Sequence, residues 1–116
     1  MENQFELLHV GINAGDPQKA EEAAKLFALM FNLDVRMGNK SIFAGKYFEC
    51  MKNADAPGTN GHIAMATENV DAAKAELEAK GYSFVPETAS YNEDGSLKNI
   101  YLAGEFAGFA IHIIKK

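Results

Sequence analysis

Three histidines and one glutamate interrupt apolar stretches of this chain: His9 in LLHVGI, Glu49 in YFECM, His62 in NGHIAM and His112 in AIHII. Titratable groups are usually kept out of such strands, because burying one without a partner is costly. Singly, each has an ordinary explanation, a histidine bonded to backbone or a glutamate at a strand edge facing water. Jointly they suggest coordination chemistry. Imidazole and carboxylate are suitable ligands for Zn, Ni, Fe or Mn, and a divalent cation supplies the compensation that a buried carboxylate needs. Strand alternation puts His9 on a face with Leu7 and Gly11, Glu49 with Tyr47 and Met51, His62 with Ala64, and His112 with Ala110 and Ile114. Several of these neighbours are small and leave room for a ligand pocket.

The elements that must position these residues read as one unit used twice. Phe5–Ile12 is a short apolar strand. Asp16 followed by Pro17 is a capping side chain with a ring pre-set for helix behind it, so a helix starts there and runs to about Asn32. Its apolar face is Ala20, Ala23, Ala24, Phe27, Met30 and Phe31. Strands follow at Val35–Met37, Ser41–Gly45 and Lys46–Met51, which completes βαβββ over residues 4–52. The small and polar residues of 53–60 form a linker. Residues 61–116 repeat the order: the strand GHIAMAT, a helix from Val70 to Lys80 stopped by Gly81, and strands at Tyr82–Val85, Asn99–Ala103 and Phe109–Ile114. Val70, Ala73 and Leu77 make the core stripe of this helix, and Glu76 with Lys80 is a solvated pair.

Self-comparison supports duplication. LLHVGI and NGHIAM both begin an apolar strand with histidine. The run from Lys40 to Gly45 resembles the run from Lys98 to Gly104 with one residue extra, and each is followed by a strand, YFECMK or AIHIIK. Glu49 and His112 therefore fall at equivalent positions. The second unit is longer, and the polar stretch Pro86–Leu97 absorbs the difference as a loop, a lid or rim.

The chain has 116 residues, enough for a single domain with a modest core, and this small size favours pairing with a second copy. Its hydrophobic fraction of 47% and charged fraction of 23% argue against disorder. A net charge of -5 without any Lys/Arg cluster argues against nucleic acid as a partner. There is no apolar run of about 18 residues and no signal-like start, so no membrane association and a cytoplasmic location are expected. The single Cys50 rules out an internal disulfide and suits a buried core position.

With these residues in place the sequence resembles the vicinal oxygen chelate superfamily of glyoxalase I, bleomycin-resistance proteins and extradiol dioxygenases, over nearly its whole length. Less specifically, it resembles small members associated with sugar-acid aldolases. The resemblance implies an α+β fold in which two βαβββ modules form a curved mixed sheet. It implies a divalent metal held by His9, Glu49, His62 and His112. Glu49 would be the catalytic proton-transfer residue of a lyase or isomerase acting on a small substrate with vicinal oxygens, through enediolate chemistry. Family glyoxalases usually carry Glu where His112 stands, and the loop AGEFAGF lacks the Asp-Pro-x-Gly motif common before the final strand. One carboxylate instead of two leaves more positive charge on the ion and favours an anionic ligand. Ferrous ring-cleaving oxygenation, a non-catalytic small-molecule or drug-binding module, and an accessory partner of a metabolic enzyme are the alternatives. A homodimer is expected, and the two modules either close on each other or exchange partners, so that His9 and Glu49 of one copy meet His62 and His112 of the other.

Overall fold

In a computed structural model that describes residues 2–116, the elements run β1 (Glu6–Asn13), α1 (Pro17–Phe31), β2 (Val35–Met37), β3 (Ser41–Ala44), β4 (Phe48–Met51), β5 (Gly61–Thr67), α2 (Val70–Ala79), β6 (Phe84–Tyr91), β7 (Leu97–Leu102) and β8 (Phe109–Lys115). All eight strands join one curved, unclosed mixed sheet in the order β2-β3-β4-β1-β5-β8-β7-β6. The fold is α+β. β1 lies parallel to β4, β5 lies parallel to β8, and β1 meets β5 antiparallel at the centre. Each half of the chain thus supplies four adjacent strands and one helix, with the two first strands side by side. No helix among the described residues is long and apolar enough to cross a membrane.

Local chemistry explains the helix ends. Asp16 Oδ1 accepts from the Lys19 backbone N–H at 2.8 Å with Pro17 behind it, and α1 stops where Asn32 turns left-handed at φ 57°. Asn69 Oδ1 accepts from the Ala72 backbone N–H at 3.0 Å to start α2, and the Tyr82 N–H returns to the Leu77 carbonyl after it. Each helix covers its own half of the sheet. Ala20 and Ala24 bring α1 close over Ile42, Ala44 and Cys50, while Val70 and Ala73 bring α2 onto Leu97, Ile100, Leu102 and Ile113. Burying these side chains contributes on the order of 25 cal/mol per Å² of apolar surface.

Three expectations are corrected. Met30 and Phe31 do not join the buried stripe of α1 and are exposed. The helix lies on β3 and β4 and barely reaches β2, so its last turn overhangs the sheet edge. The stretch Pro86–Leu97 is not a loop: β6 continues to Tyr91, and only Asn92–Ser96 turn before β7 begins at Leu97. Pro86 is tolerated because β6 is an edge strand. Thr88 bridges the irregular pairing there, donating to the Val85 carbonyl at 2.7 Å and accepting from the Tyr101 N–H at 2.9 Å. Finally, the β1–β5 register shifts between Leu7 and His9, so alternation does not carry from His9 to Leu7, and both Leu7 and Leu8 are exposed.

Candidate metal centre

The four central strands carry one candidate residue each: Glu49 on β4, His9 on β1, His62 on β5 and His112 on β8. Directly paired residues share a face, and the register lays the four out in two rows across the sheet. One row runs Phe43, Glu49, Gly11, His62, Ala110; the other runs His9, Ala64, His112, Tyr101. A small residue separates the two titratable groups in each row, Gly11 in the first and Ala64 in the second. The rows are related by the same two-fold repetition that relates the halves of the chain.

Three of the four side chains touch. His9 Nε2 lies 3.1 Å and His62 Nε2 lies 3.0 Å from Glu49 Oε1, and the two ring nitrogens are 3.2 Å apart. His112 closes the group, with its ring centroid 5.5 Å from that of His62 and 6.0 Å from that of His9. One ring nitrogen from each histidine falls within 4.8 Å of the others. All of this occurs within one chain, so exchange of modules between copies is not needed to bring the four residues together.

The repeat extends to the residues that hold this group. Ser41 and Asn99 are equivalent positions, and so are Phe43 and Tyr101. The Ser41 hydroxyl donates to Glu49 Oε2 at 2.8 Å, leaving Oε1 for the histidines. Asn99 Oδ1 accepts from His112 Nδ1, which fixes the tautomer and leaves Nε2 with a free lone pair. Tyr101 stacks on the His112 ring at 4.6 Å, and Phe43 meets the His9 ring edge-on at 6.1 Å. Ser41, Asn99 and Gly11 are absent from the candidate set drawn from the sequence. The aligned runs Lys40-Ser41-Ile42-Phe43 and Lys98-Asn99-Ile100-Tyr101 contained the signal for the first two, since each lies on the strand beside a candidate ligand.

Electrostatics divide the four. Burial works to raise the Glu49 carboxyl, but hydrogen bonds from His62, His9 and Ser41 outweigh it and hold the group well below the usual carboxylate range. Burial, followed by the neighbouring His62 and His9 rings, pushes His112 down to about 4. His112 is therefore a neutral imidazole near pH 7, the form that can ligate a metal.

The donor set suits a divalent ion. Two imidazole nitrogens and one carboxylate oxygen crowd together at 3.0–3.2 Å, and protons cannot satisfy all three contacts at once. Ligands bound about 2.0–2.1 Å from a tetrahedral ion stand roughly 3.3 Å apart, close to this spacing. His112 Nε2 is buried with no hydrogen-bond partner among the described residues, a vacancy in bonding that a cation would fill. Three histidines could thus hold a metal ion, and a carboxylate lies against two of them.

No family model matches the sequence, and no curated protein matches it. Solved structures do match in shape. A methylmalonyl-CoA epimerase aligns over 99% of this chain and 98% of its own, with 15% identity and a TM-score of 0.64. The methylmalonyl-CoA epimerase of Mycobacterium tuberculosis aligns over 94% of this chain and 86% of its own, with 19% identity and a TM-score of 0.58. A variant of 4-hydroxymandelate synthase from Streptomyces coelicolor aligns over 97% of this chain but 49% of its own length, with 14% identity and a TM-score of 0.66. The chain therefore has the fold of the two epimerases and of the part of the synthase that it aligns with, two βαβββ halves on a single curved sheet.

Proposed function

We propose that the protein is a metal-dependent lyase or isomerase acting on a small substrate with two adjacent oxygens, and that His9, Glu49, His62 and His112 hold its divalent ion. The observation that carries this reading is the contact of His9 Nε2, His62 Nε2 and Glu49 Oε1 at 3.0–3.2 Å. When bound, such an ion supplies Lewis-acid polarisation of the substrate oxygens, which favours enediolate-forming proton transfer at the adjacent carbon.

The chain's own residues divide the remaining work. His9, His62 and His112 bind, and Asn99 keeps the Nε2 of His112 available. Glu49 is the proton-transfer residue. Ser41 anchors its Oε2, so that Oε1 is the oxygen presented to the histidines and the substrate. Small residues between the candidate ligands, Gly11 in one row and Ala64 in the other, give the larger side chains room to converge, and the His62 ring fills the space beside Gly11. The reading includes a homodimer, supported by the exposed apolar side chains of Leu26, Leu29, Met30 and Phe31 on α1.

The test has two arms. Elemental analysis of protein purified without an affinity tag should find one divalent ion per chain. The metal-loaded protein in D2O should exchange a carbon-bound hydrogen of an α-hydroxycarbonyl such as dihydroxyacetone, read by proton NMR. Glu49→Gln should lose the exchange and still take up an ion on the three histidines, though more weakly than the wild type. Absence of stoichiometric metal would sink the metal reading. Metal without exchange on a panel of such compounds would favour the non-catalytic binding role.

A further inference from the structure

Arg36 is the sole arginine of an acidic chain, and it stands on the face that carries the candidate ligands. Directly paired residues share a face, and Arg36 pairs with Phe43, Phe43 with Glu49, Glu49 with Gly11 and Gly11 with His62. The arginine is thus the outer member of the row that contains Glu49 and His62. Its side chain leans inward, with the guanidinium carbon 4.2 Å from the centre of the Phe43 ring. That ring in turn lies edge-on to His9, with 6.1 Å between centroids. One aromatic side chain therefore separates the only guanidinium from the donor cluster.

The group has no anionic partner among the described residues. Arg36 is exposed and forms no ion pair among the described residues, although the chain carries a net charge of -5. The cation–π contact with Phe43 holds the guanidinium over the ring, and its N–H groups donate to no other described residue. A planar fork of donors held in this way matches the two oxygens of a carboxylate, or two oxygens of a phosphate. The ligand set reinforces the choice of sign. With Glu49 as the one carboxylate among four ligands, a divalent ion held there would keep residual positive charge, so the arginine and the four-residue site would both attract anions.

We infer that Arg36 is a substrate-binding residue that selects a ligand with two functional ends: a vicinal-oxygen head at the four-residue site and an oxyanion tail laid across Phe43 onto the guanidinium. This deepens the function proposed above and rests on it. The substrate class narrows to small hydroxy or oxo acids a few carbons long that end in a second anionic group.

The test is calorimetric binding to protein reconstituted with zinc and to protein stripped of metal. Lactate presents the head alone, 2-hydroxyglutarate adds a carboxylate tail, and 3-phosphoglycerate adds a phosphate tail. The wild type should bind at least one tailed acid about tenfold or more tightly than lactate, and the better tail identifies the oxyanion. Arg36→Gln should lose that advantage while lactate affinity and zinc content stay within about twofold. Arg36→Lys should restore only part, since an ammonium lacks the fork. Equal affinity of wild type and Arg36→Gln for both tailed acids would overturn the inference, as would no preference over lactate in the wild type. Failure of the metal reading appears separately, as wild-type protein that takes up no stoichiometric zinc.

Discussion

Gly11 and His62 sit opposite one another across the β1–β5 seam, and the His62 ring occupies the space where a side chain on Gly11 would be. A Cβ built on Gly11 would lie 2.1 Å from both Cε1 and Nδ1 of that ring. His62 is only 4% exposed, so the ring has no free volume into which to retreat. Glycine is required here by close approach.

Gly11→Ala should therefore do two things at once. Overpacking of this kind costs about 1–3 kcal/mol, which a lowered Tm will show. Displacing His62 Nε2 from Glu49 should also weaken zinc binding at least about tenfold, read by competition with a chromophoric chelator. A variant that loses stability but binds zinc as tightly as the wild type would remove His62 from the ligand set.

Asn99→Leu and Ser41→Ala test the outer shell from its two equivalent sides. Loss of Asn99 frees the His112 ring to change tautomer and rotate, and loss of Ser41 frees the Glu49 carboxylate. Side chains that hydrogen-bond to metal ligands are worth about 10–100-fold in affinity, and each variant should lose an amount in that range. Unchanged affinity in Asn99→Leu would mean that His112 does not ligate, leaving only His9, Glu49 and His62.

The visibility of these residues in the sequence followed the physics of burial. His9, Glu49, His62 and His112 stood out because a titratable group inside an apolar strand breaks a strong pattern. Asn99 and Ser41 did not, because an uncharged polar residue in a strand is ordinary. Their significance comes from register across β7–β8 and β3–β4, which a single sequence does not encode directly. The β6–β7 hairpin was hidden for the opposite reason. VPETASY carries a proline and little hydrophobic alternation, yet it pairs with β7 as the edge strand, whose outer side needs no backbone hydrogen-bond partner. Met30 and Phe31 kept helical spacing with Phe27 but ran past the edge of the surface that Phe27 packs on, and spacing carries no information about where a sheet ends.

The N-terminal segment offers a pH test away from the candidate site. Glu76 Oε1 accepts from both the backbone N–H and the side-chain amide of Asn3, at 2.7 and 2.8 Å, and Oε2 accepts from Lys80 at 2.9 Å. The Asn3 backbone bond, then those from Lys80 and the Asn3 side chain, hold the carboxyl down at about 2, against an ordinary value of 4.5. A depressed carboxylate adds stability that is complete above its unfolded value and is lost as pH falls through its folded one. Docking of the segment should therefore persist below pH 4.5 and fail near pH 2. The Asn3 amide resonance should titrate in that window by two-dimensional NMR, and Glu76→Gln should abolish the transition. Titration of that amide near 4.5 would show that the contact does not form in solution.

The apolar end of α1 separates the two ways in which a pair of chains could relate to the site. Leu29 is 79% exposed, with Leu26, Met30 and Phe31 exposed beside it, an arrangement that in water favours burial against another surface. Sedimentation of the wild type should show a dimer, and Leu29→Glu should shift it to monomer, since a charge in such an interface is left unpaired. Exposed substitutions away from special contacts usually change stability by less than about 0.5 kcal/mol, so the monomer should keep its unfolding free energy to within that limit plus the contribution lost from association. Zinc stoichiometry per chain then carries the information. His9, Glu49, His62 and His112 meet within one chain, so the monomeric variant should bind as many ions per chain as the dimer. Loss of metal on dissociation would instead mean that in solution the modules exchange partners, with each site built from the first half of one chain and the second half of the other.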